Sequence, residues 1–145
     1  MAKPATGRHL RLMTRAFDLA PSLDDIAALA ERSFADLPEP FRSLASEAQI
    51  RVSDFADDDI LDEMGIQDAF ELTGLYQGVD LARRSVFDIA PAAPMIFLYR
   101  RPILDEWAER GDVTLEELVA HVLVHEIGHH FGLSDDDIDR IEDKA

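Results

Sequence analysis

Polar side chains interrupt an apolar helical segment of this 145-residue chain in the stretch HEIGHHFGLSD, from His125 to Asp135. The stretch brings three histidines, a glutamate and an aspartate directly after the apolar run Val122–Val124. A helix this apolar should pack into a core, and a core rejects unpaired charges and imidazoles without hydrogen-bond partners. These polar groups therefore need partners, and this requirement constrains the chain more than any other feature.

The spacing HExxH suits a metal ion held by one helix face. His125 and His129 are four residues apart, so on a helix they lie about 40° apart in azimuth and about 6 Å apart along the axis. Both imidazoles can then tilt towards one ion, at about 2.1 Å each for zinc. Glu126 lies about 100° around the helix from His125, where it can hydrogen-bond a water molecule beside the ion without ligating it.

A catalytic zinc site needs a third protein ligand and an open fourth position. Gly132 ends the helix, and the chain can turn back there because glycine tolerates positive φ. Asp135 is the first residue after that turn that can ligate, and it occupies the place of the third histidine in the pattern HExxHxxGxxH. We predict that His125, His129 and Asp135 bind one Zn²⁺ per chain.

Other assignments of these polar groups remain open or are excluded. Glu142 is an alternative third ligand, ranked behind Asp135 because the glycine offset favours the nearer acid. His121 lies too far along the axis from His129 for all three histidines to reach one ion, and His130 points elsewhere. A core helix whose histidines are satisfied by hydrogen bonds is the alternative without a metal. A calcium-binding EF-hand is excluded, because its sixth position would be Arg140 instead of glycine.

Composition narrows the classes of partner and of chemistry. The chain has no cysteine, which excludes disulfides, thiolate ligands and a cysteine nucleophile. Its net charge of −16 argues against nucleic acid or an anionic membrane as partner. The charge is uneven, because four basic residues precede the first acid, Asp18. We expect residues 1–20 to form a flexible basic arm. We also expect a cytoplasmic protein, because the sequence has no recognisable signal-peptide core or membrane span.

The rest of the pattern predicts one α+β domain over residues 21–145. Ser22 is the predicted N-cap of a first helix, and Thr114 with Glu117 predicts a capping box for the motif helix. Three strands are predicted in QIRVSDF, in FELTGLYQG with Gly74 at a bulge, and in PMIFLYR, which is apolar on both faces and therefore central or covered. Further helices are predicted in the segment from Pro102 to Arg110 and in DDDIDRIEDK, a short helix is a candidate in EPFRSLASEA, and DDDILDEMG is typical of either a short helix or a turn. The total is about four or five helices.

The segments HEIGHHFGLSDDDID, LTGLYQGVDLARRS and IFLYRRPIL together resemble the small bacterial zincin-like family of zinc metallopeptidases, a minimal relative of the metzincins. The resemblance covers roughly residues 48–140 and implies a small mixed sheet packed against an active-site helix, with three or four further helices. It also implies His125, His129 and Asp135 as ligands and Glu126 as the catalytic carboxylate. The methionine turn of larger metzincins is missing, because the last methionine is Met95.

The resulting hypothesis is hydrolysis of a peptide or protein substrate, with Glu126 as general base. The resemblance implies that an extended substrate pairs with a sheet edge, for which Met95–Tyr99 is a candidate, although its apolar character fits a central strand equally well. Tyr76 and Tyr99 are candidates for contacting the substrate and stabilising the oxyanion.

Two rivals remain. One is a zinc-binding interaction module of the same fold without turnover, which the small size favours and Glu126 argues against. The other is a peptidase inhibited by its basic arm. The sequence predicts neither a substrate preference nor an oligomeric state.

Overall fold

The computed structural model describes residues 19–78 and 94–144. The predicted basic arm lies outside the described residues except for its last two positions, as does the segment after Gly78 in LTGLYQGVDLARRS. Within the described residues the chain forms six α-helices, three strands and one 3₁₀ helix. These are α1 (Leu23–Ala35), α2 (Phe41–Leu44), β1 (Gln49–Ser53), α3 (Asp58–Met64), the 3₁₀ helix Ala69–Glu71, β2 (Gly74–Gln77), β3 (Met95–Tyr99), α4 (Arg100–Arg110), α5 (Leu115–His130) and α6 (Asp135–Lys144).

The three strands form one mixed sheet in the order β1-β3-β2. Strand β3 pairs in parallel with β1 and antiparallel with β2. The apolar character of β3 on both faces follows from this central position, because a central strand is covered on both sides. The prediction that Met95–Tyr99 is an edge strand for substrate is therefore wrong, whereas the alternative of a central strand is confirmed.

The two faces of β3 belong to different apolar clusters. Ile96 and Leu98 point into the main core, where α1 packs on β1 and α5 packs on β2. Phe97 and Tyr99 point to the other face and join a smaller cluster with Leu61. The alternation follows from the two-residue period of a strand. One face of the sheet therefore carries α5, and the opposite face carries Tyr99.

Local signals determine where the helices begin and end. Ser22 is the N-cap of α1 as predicted, and it also forms a capping box with Asp25. Thr114 forms the predicted capping box with Glu117. Helix α5 ends in a Schellman turn, in which Gly132 has a φ of 83° and the Leu133 N–H donates to the Gly128 carbonyl. This turn directs the chain back along α5 into α6.

None of the described helices is long and apolar enough to cross a membrane.

Helix α6 is held against α5 by one close contact. Ile138 is fully buried, and a Cβ placed on Gly128 would lie 2.6 Å from its Cδ1. The absence of a side chain at Gly128 thus lets the two helices approach closely. The predicted α+β class with a small mixed sheet is confirmed; five helices accompany α5 instead of three or four, because Phe41–Leu44 and Asp58–Met64 are both helical.

Candidate metal centre

Helix α5 presents its polar residues as two adjacent stripes. His121, His125 and His129 recur every four residues and form one stripe, which the start and the end of α6 approach. Glu126 and His130 belong to the other stripe, which faces β2. Each stripe follows from helical periodicity alone, but only packing determines what stands opposite.

The first residue of α6 closes the predicted ligand set. Oδ1 of Asp135 lies 3.0 Å from Nε2 of His129 and 3.6 Å from Nδ1 of His125. One donor atom from each of the three residues falls within 4.8 Å of the other two. The structure therefore brings together all three predicted ligands.

These distances fit tetrahedral zinc. Ligand atoms about 2.1 Å from a four-coordinate ion stand about 3.4 Å from each other, and the separations of 3.0 and 3.6 Å lie on either side of that value. Nδ1 of His129 lies 3.2 Å from the Leu133 carbonyl, which can only accept, so in the tautomer that donates this hydrogen bond Nε2 has the lone pair that a metal ion needs. A backbone carbonyl that orients the imidazole in this way is the usual partner of a metal-binding histidine.

The first histidine of the motif is also suited to ligation. Nε2 of His125 is buried and has no hydrogen-bond partner among the described residues. Burial lowers the pKa of His125, and the neighbouring His121 lowers it further, against the opposing effects of Glu142 and Asp135. A histidine must be neutral to bind a metal, and this environment favours the neutral form.

Glu126 follows the predicted ligand His125 in the sequence, and its carboxyl group is partly buried. Burial raises the pKa of its carboxyl to about 7, and the nearby His129 opposes part of that rise. Strand β2 covers this side of the helix at Gly74, where an added Cβ would meet Cγ1 of Val122 at 2.7 Å and Cγ of Glu126 at 3.3 Å. Gly74 pairs in register with Leu98, so the predicted bulge is wrong and the glycine instead permits close approach of β2 to α5.

A cavity of about 200 Å³ adjoins the motif. Its lining includes His125 and Glu126 from α5, Thr73 just before β2, and the Arg110–Glu106 pair of α4, whose Nε–Oε2 distance is 2.9 Å. The cavity gives the carboxylate a space in which a small polar group can be held.

The two tyrosines lie in different surroundings. Tyr76 is on the α5 side of the sheet, and its ring stacks on His130 with centroids 4.2 Å apart. Tyr99 is 1% exposed, and its hydroxyl has no hydrogen-bond partner among the described residues. A substrate could contact Tyr99 only after the surrounding side chains move. Tyr76 is also largely buried, at 8% exposed, but it lines a surface cavity with His130 and remains a candidate.

The sequence did not predict a contact between His121, the third histidine of the first stripe, and Glu142 near the end of α6. Nδ1 of His121 lies 3.7 Å from Oε1 of Glu142. The sequence did contain a signal for this contact. Asp135 and Glu142 are seven residues apart, which places both on one face of a helix.

Comparison with known proteins identifies the family of the chain. The family model of the zincin-like metallopeptidases matches residues 45–145, which contains the resemblance drawn from the sequence over residues 48–140. No curated protein matches the chain. The family suggests a peptidase that depends on zinc, consistent with the donor set that α5 and α6 present. The match spans more than two thirds of the sequence, and the chain therefore belongs to the zincin-like metallopeptidase family.

Proposed function

We propose that this protein is a zinc-dependent metallopeptidase that hydrolyses peptide bonds, with Glu126 as general base and with His125, His129 and Asp135 as the zinc ligands. One observation carries the proposal: donor atoms of these three ligands lie within 4.8 Å of one another, and Glu126 follows His125 directly on the stripe that faces β2. The family match supports the same reaction class.

Zinc bound by these residues would polarise the scissile carbonyl and lower the pKa of a water molecule at its open position. The carboxylate of Glu126 accepts the proton of the attacking water and then donates it to the leaving amine. Burial raises the pKa of Glu126 to about 7 in the absence of a metal ion. A bound zinc ion would lower that pKa and so favour the carboxylate that accepts the proton. The contact of β2 at Gly74 limits the positions that the Glu126 side chain can adopt.

Strand β2 is the described strand best placed to bind an extended substrate. It lies beside Glu126 through Gly74, and it pairs with β3 along one of its edges. The backbone groups of an outer strand can pair with an added chain. We therefore assign to β2 the role that the sequence alone had suggested for Met95–Tyr99. Tyr76, on the same strand, stays a candidate for contacting substrate.

Replacing Glu126 with Gln tests the proposal against the zinc-binding interaction module. The substitution keeps the size of the side chain and removes its basicity, so zinc content should stay at the wild-type level. Peptide hydrolysis should fall by about 10²–10⁴-fold, the usual contribution of a general base. Elemental analysis and digestion of a peptide library measure the two quantities.

Glu116→Gln is the matched control, because Glu116 is on the same helix with an exposed side chain and pairs only loosely with Arg32, at 3.7 Å. It should match the wild type in both measurements. Equal hydrolysis by the Glu126 and Glu116 variants would refute the role of Glu126. Zinc binding without any hydrolysis by the wild type would favour the interaction module, and an unchanged zinc content after His125→Ala would contradict both functions.

A further inference from the structure

The histidine stripe of α5 meets the acidic face of α6 at two levels. Asp135 stands opposite His129 and His125, and two turns later Glu142 stands opposite His121. The rings of His121 and His125 have centroids 4.1 Å apart. Donor atoms of His121, His125 and Glu142 lie within 4.8 Å of one another, the same limit that the first ligand set meets.

We propose that His121, His125 and Glu142 form a second binding position for a divalent cation, which shares His125 with the first position. The chain then holds one cation in either of two places along the stripe. The second position itself stands on its own geometry, whereas its competition with the first rests on the proposed function.

The donor chemistry supports a cation at the second position. Two imidazoles and a glutamate form a His₂Glu set, which is one of the known sets of three protein ligands for catalytic zinc. The buried Nε2 of His125 lacks a hydrogen-bond partner among the described residues, so His125 has an unused donor atom in this part of the chain. A shared His125 makes the two positions alternatives, because a neutral imidazole has a single nitrogen lone pair and therefore binds one cation at a time.

The surroundings rank the two positions. The second is less exposed, with side chains of His121 and Glu142 38% and 31% exposed, against 48% and 72% for His129 and Asp135. Arg110 lines the same cavity as His121, and its positive charge disfavours a cation there, although its pairing with Glu106 offsets part of that charge. We expect the second position to bind zinc more weakly than the first and to be filled when the first is disabled.

The test removes the first position from the full-length chain and leaves the second. The His129→Ala/Asp135→Ala variant should still bind one zinc ion, measured by titration with ZnCl₂ and by the visible absorption of Co²⁺. Adding His121→Ala or Glu142→Gln should then abolish that binding. Adding His130→Ala is the matched control, because it removes a histidine from the other stripe, and it should leave zinc binding intact.

Two results would overturn the inference: loss of all zinc from the double variant, or equal binding with and without His121 and Glu142. His129 and Asp135 have largely exposed side chains, so their replacement should preserve the fold. If the double variant does not fold, the single variants His129→Ala and Asp135→Ala are tested instead. Each should still bind one zinc ion in a way that depends on His121 and Glu142. A Glu126→Gln variant with full activity would overturn the proposed function alone, whereas a wild type without zinc would overturn both proposals.

Discussion

Nε2 of His129 lies 3.0 Å from Oδ1 of Asp135, across the Schellman turn that joins α5 to α6. The other ring nitrogen of His129 lies 3.2 Å from the Leu133 carbonyl, so in the tautomer that donates to this carbonyl the nitrogen that faces the carboxylate has a lone pair. A lone pair and a carboxylate oxygen at this distance repel each other unless a proton or a metal ion lies between them. The turn thus creates a position that requires a positive charge.

Asp135→Asn should weaken zinc binding by more than about tenfold. Loss of a partner that merely orients a ligand already costs roughly 10–100-fold in affinity, and Asp135 is proposed as a direct ligand. The measurement is a competition titration against a chromophoric zinc chelator. Asp136→Asn is the control, since this neighbouring exposed acid carries the same charge one position further along α6. Equal weakening by both substitutions would mean that general charge, and not ligation, explains the effect.

Gly74→Ala should destabilise the protein by about 1–3 kcal/mol, the usual cost of overpacking. The new methyl group would lie 2.7 Å from Cγ1 of Val122 and 3.3 Å from Cγ of Glu126, so β2 must move away from α5. Denaturant unfolding measures the loss of stability, and we expect hydrolysis to fall while zinc content stays unchanged.

Val122→Ala provides the matching test of that contact. It removes the atom that the new methyl group would meet first, so the double variant Gly74→Ala/Val122→Ala should be more stable than the sum of the single effects predicts. Strict additivity of the two changes in the free energy of unfolding would contradict a close contact between β2 at Gly74 and α5 at Val122.

Tyr99→Phe should change how stability depends on pH. Burial, with the carboxylates of Asp57 and Glu126 nearby, raises the pKa of the Tyr99 hydroxyl to about 12 from its usual 10. The folded state therefore holds this proton more tightly than the unfolded state, so the stabilisation is complete below pH 10 and is lost as the pH rises through 12. The variant should lack this loss, which amounts to roughly 3 kcal/mol for a two-unit difference.

Denaturant unfolding at pH 8 and at pH 12 measures the effect of Tyr99→Phe. At pH 8 the variant should be at least as stable as the wild type, because the hydroxyl has no hydrogen-bond partner among the described residues. Its peptide hydrolysis should be unchanged near neutral pH, because the Tyr99 side chain packs on the sheet face opposite α5 and its hydroxyl, with a pKa of about 12, carries no charge that could act on Glu126. A large fall in hydrolysis would instead support the role at the oxyanion that the sequence suggested.

Much of the local structure was predictable because its causes lie within a few residues. The capping box at Thr114, the end of α5 at Gly132 and the common face of His125 and His129 all follow from spacings of three to seven residues. The position of Asp135 beside His125 and His129 was predictable for the same reason, because a turn at Gly132 leaves few positions from which the following chain can reach those histidines.

Contacts between segments distant in the chain were not predictable in this way. The apolar pattern of Met95–Tyr99 allowed either an edge or a central strand, and only the pairing with β1 and β2 decides for the centre. Gly74 signalled an irregularity in the strand, but the pattern could not distinguish a bulge from the close approach of α5.

The sequence by itself thus determined which side chains share a helix face and where that helix turns back, since helical periodicity and turn chemistry act over short range. Only the tertiary structure decided what these side chains meet. Ile138 packs over Gly128 and holds α6 against the histidine stripe, which brings Glu142 to His121, and the sheet order places β2 over Glu126. These contacts depend on how whole helices and strands pack against each other, and residue spacing within one segment does not predict that packing.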